Sequence, residues 1–253
     1  MGDAGRLRVG TLNCRNTAND WRRRRAVLLS QLVELDPDVM GFQELRRWPS
    51  QAGWITRAVN QAYGDPAAYQ AHRTYKTGLY RFWEGLAVLT RLPIVERGWL
   101  DLQSDSRVAT FVALRLPDGG VLDFYNVHLT FGAAEERTAQ ARLLMRWLAE
   151  RAGEPQVVVG DFNARPTEPA VAVVTERLRS AYAVVHDREP EKTVPTPLRG
   201  RAQGPDAVID YMFVNDRVDV HDASVTFQRA TPDDPRLVAS DHYGLMATVS
   251  VRA

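Results

Sequence analysis

The sequence predicts an α/β fold in which two sheets pack face to face with helices outside. Two patterns carry that reading. Hairpin signals, with RVATFVALRL and VLDFYNVHL alternating about Pro117-Asp118-Gly119-Gly120, occur in the same chain as strand-helix-strand units. Such a mixture suits packed sheets covered by helices. In addition, the short apolar runs VGTLN, DVMGFQE, FYNVHL, QVVVGDFN and AVIDY each stop on a residue that can hold a metal or a phosphate. β-Branched runs such as VVV read as buried strands, and an acid or imidazole at the end of one is costly unless paired or ligating a cation.

Residues 7 to 13 form the first expected strand. Asn19-Asp20 is placed to cap a helix whose apolar spacing falls on Ala26, Leu29, Leu32 and Val33, with Arg22 to Arg25 upon it. Pro37 ends that helix, residues 38 to 43 run as a strand into Glu44, and a weaker helix spans 51 to 62. Strands follow at 85 to 90 and 93 to 100, then the hairpin. Residues 134 to 151 read as a helix with Leu143, Leu144, Trp147 and Leu148 on its apolar face and Arg137, Arg142, Arg146 and Arg151 solvated. A strand at 156 to 160, a short helix over 168 to 178 and a Pro-, Arg- and Gly-rich loop over 186 to 206 come next. Strands near 207 to 214, 219 to 228 and 244 to 252 complete the chain.

The 253 residues, 45% of them hydrophobic, suffice for a large core, and no linker, low-complexity tract or repeat divides them. One domain over residues 1–253 is therefore expected. With 32 basic against 31 acidic residues the net charge is +1, which gives no global field for holding nucleic acid. The one cysteine, Cys14, excludes an intramolecular disulfide and a thiolate cluster, leaving core packing as its expected role. The first ten residues lack an apolar targeting segment, and no apolar stretch nears 18 residues. A soluble, cytoplasmic protein is expected, with no obligate protein partner.

The polar strand ends are Asn13, Glu44, His128, Asp161 with Asn163, and Asp210; Asp241-His242 precedes the last apolar run. Acids, amides and imidazoles without thiols describe an oxygen-rich site for a hard divalent ion, with histidines beside it for proton work. In QVVVGDFN, strand alternation leaves Asp161 and Asn163 on one side of the chain. For DFN alone, an N-cap Asp leading into the helix near 168 is the competing reading.

Taken in order, TLNCRN, FQE, GLAVLTR, YNVHL, GDFN, IDYMFV and SDH resemble the motifs of the endonuclease/exonuclease/phosphatase superfamily over nearly the whole chain. The resemblance implies a four-layer α/β/β/α sandwich, deoxyribonuclease I-like, made of two packed mixed sheets flanked by helices. It implies a metal-dependent phosphoesterase site at one edge. Glu44, Asn13 and Asp241 then stand on the metal side, with Mg2+ as the expected ion and Mn2+ as its alternative. His242 resembles the catalytic histidine and Asp210 the carboxylate that orients it. Asp161 and Asn163 position water or phosphate, and His128 donates to a phosphoryl or leaving oxygen. Arg107 stands where several relatives have a phosphate-contacting Arg, and Glu84 where some have an acid near the site.

Residues 69 to 83, YQAHRTYKTGLYRFW, interleave bases and aromatics, and Tyr75 and Lys76 join the candidate substrate-binding residues. An edge strand whose aromatics belong to the core is the preferred reading of that segment. Arg22 to Arg25 point in all directions from a helix, so a solvated helix face is expected there. Arg188, Lys192, Arg199 and Arg201 mark the long loop as a candidate substrate wall. The substrate is a phosphoester, borne on a small molecule or on nucleic acid. A nuclease is the alternative enzyme, and a non-catalytic phosphate-binding scaffold is the alternative of another class.

Overall fold

The computed structural model describes residues 5–79, 83–198 and 204–252. Its elements in chain order are β1 (Arg6–Asn13), α1 (Trp21–Leu35), β2 (Val39–Arg46), α2 (Gln51–Tyr63), β3 (Gln70–Tyr75), β4 (Glu84–Thr90), β5 (Ile94–Asp101), β6 (Val108–Arg115) and β7 (Val121–His128). They continue with α3 (Ala134–Ala149), β8 (Gln156–Asp161), α4 (Pro169–Thr175), β9 (Arg179–Ser180), α5 (Ala181–His186), β10 (Asp210–Val214), β11 (Val218–Thr226) and β12 (Gly244–Val251). Two mixed six-stranded sheets result, ordered β11-β12-β1-β2-β4-β3 and β5-β6-β7-β8-β10-β9. Among the described residues no helix is long and apolar enough to cross a membrane.

β8 shows how the layers are built. Val157 and Val159 enter one hydrophobic cluster and Val158 another, because successive strand side chains point to opposite faces. The first cluster lies between the sheets, where Val9, Val39 and Val88 meet Val112, Phe124 and Val159. The second packs Phe111, Tyr125 and Phe213 beneath Leu144, Leu148 and Val174 of α3 and α4. A third packs Leu12, Met40 and Phe42 beneath Val27, Leu28 and Ile55 of α1 and α2. Each fully buried Leu, Val or Phe contributes about 1.5–3 kcal/mol, so strands buried on both faces hold the two sheets and their helices together. This is the expected α/β/β/α sandwich.

Two glycines permit the central approach. A Cβ on Gly41 would lie 2.5 Å from Val159 Cγ2 in the opposite sheet. Gly160 has φ +146°, and a Cβ there would lie 1.9 Å from the Val127 carbonyl oxygen.

The helices depart from expectation in instructive ways. The buried residues of α1 are Arg24, Val27, Leu28, Gln31 and Leu32, while Ala26 is exposed and Leu29 and Val33 are half-buried. The helix is rotated from the expected stripe because Arg24 enters the interior. Asp20 makes no side-chain cap bond, and Asn19 Oδ1 instead accepts from Arg15 Nε at 2.5 Å. On α3, Arg142 and Arg146 are exposed as expected, but Arg137 is buried and donates to Glu168 at 2.7 Å. Arg151 is half-buried against the fully buried Asp123 at 2.7 Å. Before the long loop stands an unexpected helix, α5, capped by Ser180 Oγ accepting from Ala183 N.

β3 is an edge strand, as expected. The aromatics of residues 69 to 83 are not all core: Tyr69 is buried, Tyr75 half-buried, and Trp83 is 66% exposed. Tyr80, Arg81 and Phe82 of the same segment, and Arg199 and Arg201 of the long loop, lie outside the described residues.

Candidate active site

Strand register assembles the site. His128 at the end of β7 is the register partner of Asp161 at the end of β8, and Asp161 is the partner of Asp210, which opens β10. In the other sheet Asn13 pairs with Gln43 beside Glu44. Thr11 pairs with Leu245 of β12, which brings the preceding Asp241 and His242 to that edge. Glu44 stands within β2, at an irregularity in its pairing with β4. It has φ 52°, and Asn163 has φ 49°. Left-handed backbone is unusual for non-glycine residues and gathers at functional sites.

Asp161 is the centre of the polar cluster. Its Oδ2 accepts from Asn13 Nδ2 at 2.9 Å and lies 3.5 Å from His128 Nε2. Its Oδ1 accepts from the backbone N–H of Asn163 at 2.9 Å. The same Asn13 amide donates to Glu44 Oε1 at 3.2 Å, and Asn13 Oδ1 accepts from Arg15 N. Asn13 thus turns its nitrogen, rather than its oxygen, toward the two acids. Asn163 reaches the cleft through its left-handed turn rather than through strand alternation, and its side chain donates to the Leu129 carbonyl at 3.0 Å.

His242 Nδ1 lies 3.1 and 3.0 Å from the two oxygens of Asp210. Asp241 faces elsewhere: Arg15 donates to its Oδ2 at 2.6 Å and Ser240 Oγ to its Oδ1 at 3.2 Å. Asn13, Asp161, Asp210, Asp241, His128 and His242 are all buried. A cleft of about 450 Å³ opens above them, lined on this side by Glu44, Arg107, His128, Asp161, Asn163 and His242.

Burial and charge set the proton affinities. Burial, then the neighbouring Glu84, raises the Glu44 carboxyl. Burial, then Asp210, raises Asp161. Burial also pushes His128 well below the usual imidazole value, and the cations Arg107, Lys76 and His242 push it further. His242 is opposite: burial opposes its charge, but Asp210, Asp161 and Asp241 outweigh burial and raise it to about 10. Burial and charge thus drive the two imidazoles in opposite directions, His128 toward its neutral form and His242 toward its cation.

Acids that raise one another's proton affinity are the setting a divalent cation relieves, and carboxylate oxygen is the donor hard ions prefer. Asp161, Asp210 and His242 have ligand atoms all within 4.8 Å of one another. Both oxygens of Asp210 lie against Nδ1 of His242 and Asp210 does not line the cleft, whereas Asp161 and Glu44 line it and accept only from amide N–H groups, which makes them the carboxylates that face an entering ion.

The residues of the second rank form an adjoining chain. Lys76 Nζ pairs with Glu84 Oε1, and Arg107 NH1 lies 3.9 Å from the same oxygen. Arg107 Nε donates to Asp105 at 2.9 Å, while its buried NH1 has no hydrogen-bond partner. Of these, Arg107 lines the cleft; Lys76 and Glu84 line a small pocket against Arg107 and His128, and Tyr75 lies beyond it. The long loop supplies the far wall through Val194, Pro195, Pro205 and Ala207. Arg188 is exposed, Lys192 donates to Asp206, and neither lines the cleft.

Arg24 was hidden by its neighbours in the arginine run. Fully buried, it donates to the carbonyls of Cys14, Asn16, Ala18, Asn19 and Ala239. It joins the turn after Asn13 to the segment before Asp241. Cys14 is buried beside it, and burial raises its thiol. Arg165 and Phe131, the latter 80% exposed, also line the cleft without having been singled out; Arg165 lies two residues beyond Asn163 in the same turn.

The chain matches the model of the Endonuclease/Exonuclease/phosphatase family over residues 10–242. It is 28% identical over 209 residues to Nocturnin of Drosophila melanogaster, which covers 73% of this chain and 31% of that protein. The chain thus spans about a third of that relative's length. Its fold superposes on an endonuclease/exonuclease/phosphatase family protein from Bacteroides thetaiotaomicron with a TM-score of 0.81, at 18% identity and 100% coverage of both chains. The mannosyl-6-phosphatase Bt3783 of the same organism gives 0.77 at 19% identity, covering 96% of this chain and 99% of its own. Family match and fold agree: the chain belongs to the Endonuclease/Exonuclease/phosphatase family.

Proposed function

We propose that this chain is a Mg2+-dependent phosphoesterase, acting as one domain, that cleaves a P–O bond by in-line attack of water. The observation that carries the reading is the Asp210–His242 pair at the floor of a cleft whose other lining groups include Glu44, Asp161 and Asn163. With Nδ1 held by Asp210, His242 has Nε2 for the reacting water, and the carboxylate fixes its tautomer. Asp161 and the Asn163 turn position water and phosphate. His128, held toward its neutral form, donates a hydrogen bond to a phosphoryl or leaving oxygen, and the cleft-lining guanidinium of Arg107 meets a second phosphoryl oxygen.

Glu44 and Asp161 would hold the ion, with Asn13 steadying both carboxylates and Asp241 behind them on Arg15. When bound, Mg2+ supplies charge neutralisation for the phosphoryl group and lowers the proton affinity of nearby bases. An ion on these carboxylates would offset the charge by which Asp161 and Asp241 raise His242, leaving the imidazole oriented by Asp210 to accept a proton at Nε2. The relatives' names support phosphoester chemistry and differ in substrate, so a nuclease is the second reading, favoured by the arginines and aromatics beside the cleft. A non-catalytic scaffold of the same fold has no need of a buried acid set joined to an oriented histidine.

The test is hydrolysis of nitrophenyl phosphate, its diester and plasmid DNA with Mg2+, Mn2+ or chelator, comparing the native protein with His242→Ala. Metal-dependent turnover lost in the variant supports the reading. Turnover that survives chelation or His242→Ala overturns it.

A further inference from the structure

Between the sheets, in the layer packed with Val9, Val39, Phe124 and Val159, two fully buried carboxamides meet, Gln43 of β2 and Asn126 of β7. Asn126 Nδ2 donates to the carbonyls of Phe42 at 2.9 Å and Ala87 at 3.0 Å. Gln43 Nε2 donates to Asn126 Oδ1 at 2.7 Å and to Thr11 Oγ1 of β1 at 2.9 Å. A carbonyl can only accept, so Asn126 has to turn its nitrogen to β2 and β4 and its oxygen to Gln43, which has to answer with its own nitrogen. The polarity of the bridge is thereby fixed. Gly41 makes room for it, since a Cβ there would lie 3.1 Å from Asn126 Cγ.

The bridge lies one step below the active site. On β1 and β7, Thr11 and Asn126 precede Asn13 and His128 by two residues and so share their sheet face. β2 breaks that count. Val39 belongs to the layer between the sheets and Gly41 approaches Val159 from the same side, while Met40 and Phe42 face α1 and α2. Unbroken alternation would send Glu44 toward the helices with them. Instead, between the pairs Phe42–Ala87 and Leu45–Gly85, β2 carries two residues, Gln43 and Glu44, where β4 carries one, Leu86. Leu45 then resumes the helix-facing set. Such a bulge re-aims a side chain, and Glu44, at φ 52°, lines the cleft. The two carbonyls that Asn126 holds belong to the last register pair before the bulge.

We propose that Asn126 and Gln43 are positioning residues, a clamp across the sandwich that holds this bulge and so keeps the Glu44 carboxylate at the cleft for an ion. Two buried amides where apolar side chains would pack are costly unless their bonds are made, and the clamp gives them a purpose. The service to an ion rests on the Mg2+ reading above; the hold on the bulge does not.

The experiment compares the native protein with Asn126→Leu, Gln43→Met and Val112→Ala, the last a truncation in the same apolar layer that removes no hydrogen bond. In chelator, NMR hydrogen exchange at the Asn16 amide, which donates to the Glu44 carbonyl at 2.8 Å, reports the bulge without any ion. Calorimetry gives the Mg2+ affinity, and both measurements are made well below each variant's unfolding midpoint. Asn126→Leu should lose about tenfold or more of the Asn16 protection. It should also weaken Mg2+ about tenfold or more, as removing a group that orients a metal ligand does. Gln43→Met should act in the same direction on both, so the result stands on a second variant if Asn126→Leu fails to fold. Val112→Ala should lower the midpoint and leave both readouts as in the native protein. Unchanged Asn16 protection in the bridge variants, equal losses in Val112→Ala, or Mg2+ affinity retained after protection is lost overturns the proposal. If the native protein binds no Mg2+ while the bridge variants still lose Asn16 protection, the clamp stands and the Mg2+ reading falls.

Discussion

Asp210 presents both carboxylate oxygens to Nδ1 of His242, at 3.1 and 3.0 Å, and both residues are buried. The pairing leaves one ring nitrogen for the cleft and makes the imidazole more basic than in water. Asp210→Asn keeps the size but loses the charge and can settle the opposite tautomer. Its expected effect is a fall in kcat of about 10²–10⁴-fold with little change in KM, checked by steady-state kinetics on whichever phosphoester proves to be turned over.

The two site histidines tilt stability in opposite directions with pH. For His242 the folded value, about 10, exceeds the ordinary 6.5, so its contribution is complete below 6.5 and is lost as pH rises through 10. His128 is held well below 6.5; the unfolded chain takes up that proton first, so stability falls as pH drops below 6.5. Urea unfolding in chelator should show a decline between pH 7 and 10 that Asp210→Asn flattens. It should also show a decline below 6.5 that His128→Asn flattens. NMR titration of the imidazole carbons assigns each limb.

Arg24 is the residue on which the site's framework hangs. Removing it leaves carbonyls on both sides of the site without their donors, in the turn after Asn13 and at Ala239. Arg24→Ala should cost about 3–5 kcal/mol in chemical denaturation. Arg24→Lys should recover little, since an ammonium cannot span the same fork of acceptors. Arg23→Ala, whose partners Asp20 and Asp234 lie 3.9 and 3.6 Å away at the surface, should stay within about 0.5 kcal/mol.

The contrast between Arg23 and Arg24 shows where sequence reading reaches its limit. Buried strands announce themselves through β-branched runs, so His128 and Asp161 at strand ends were legible with the two-sheet architecture, while Glu44 falls inside β2 at a pairing irregularity and Asp210 opens β10. Four consecutive arginines carry no mark of which one points inward; that depends on the carbonyls of a turn and of Ala239, distant in sequence. The left-handed backbone of Glu44 and Asn163 is invisible for the same reason, because neither residue type demands it. The aromatics of residues 69 to 83 are expected in the core, whereas Tyr75, at the end of edge strand β3, is half-buried and Trp83, in the connection ahead of β4, is exposed.

Gly160 separates two explanations of glycine in a strand, looseness and close approach. Its φ of +146° and the 1.9 Å distance from a built Cβ to the Val127 carbonyl mean that Gly160→Ala forces β8 away from β7, next to Asp161. Expected is loss of more than about 4 kcal/mol, seen as an absent or non-cooperative melting transition. Gly119, at φ +89° with nothing within 4 Å, should tolerate Ala at a cost of about 1 kcal/mol.

Raised carboxyl groups make ion binding depend on protons. Glu44 and Asp161 both hold protons more tightly than free acids, through burial and through Glu84 and Asp210 respectively. Protons must leave as a cation takes those oxygens, so Mg2+ affinity should rise with pH across the neutral range. The heat of binding should then differ between buffers of different ionisation enthalpy. Glu44→Gln should weaken Mg2+ at least about tenfold and reduce the number of protons released. Calorimetry in phosphate-free buffers measures both, and affinity independent of pH with no buffer-dependent heat would place the ion elsewhere than on these two carboxylates.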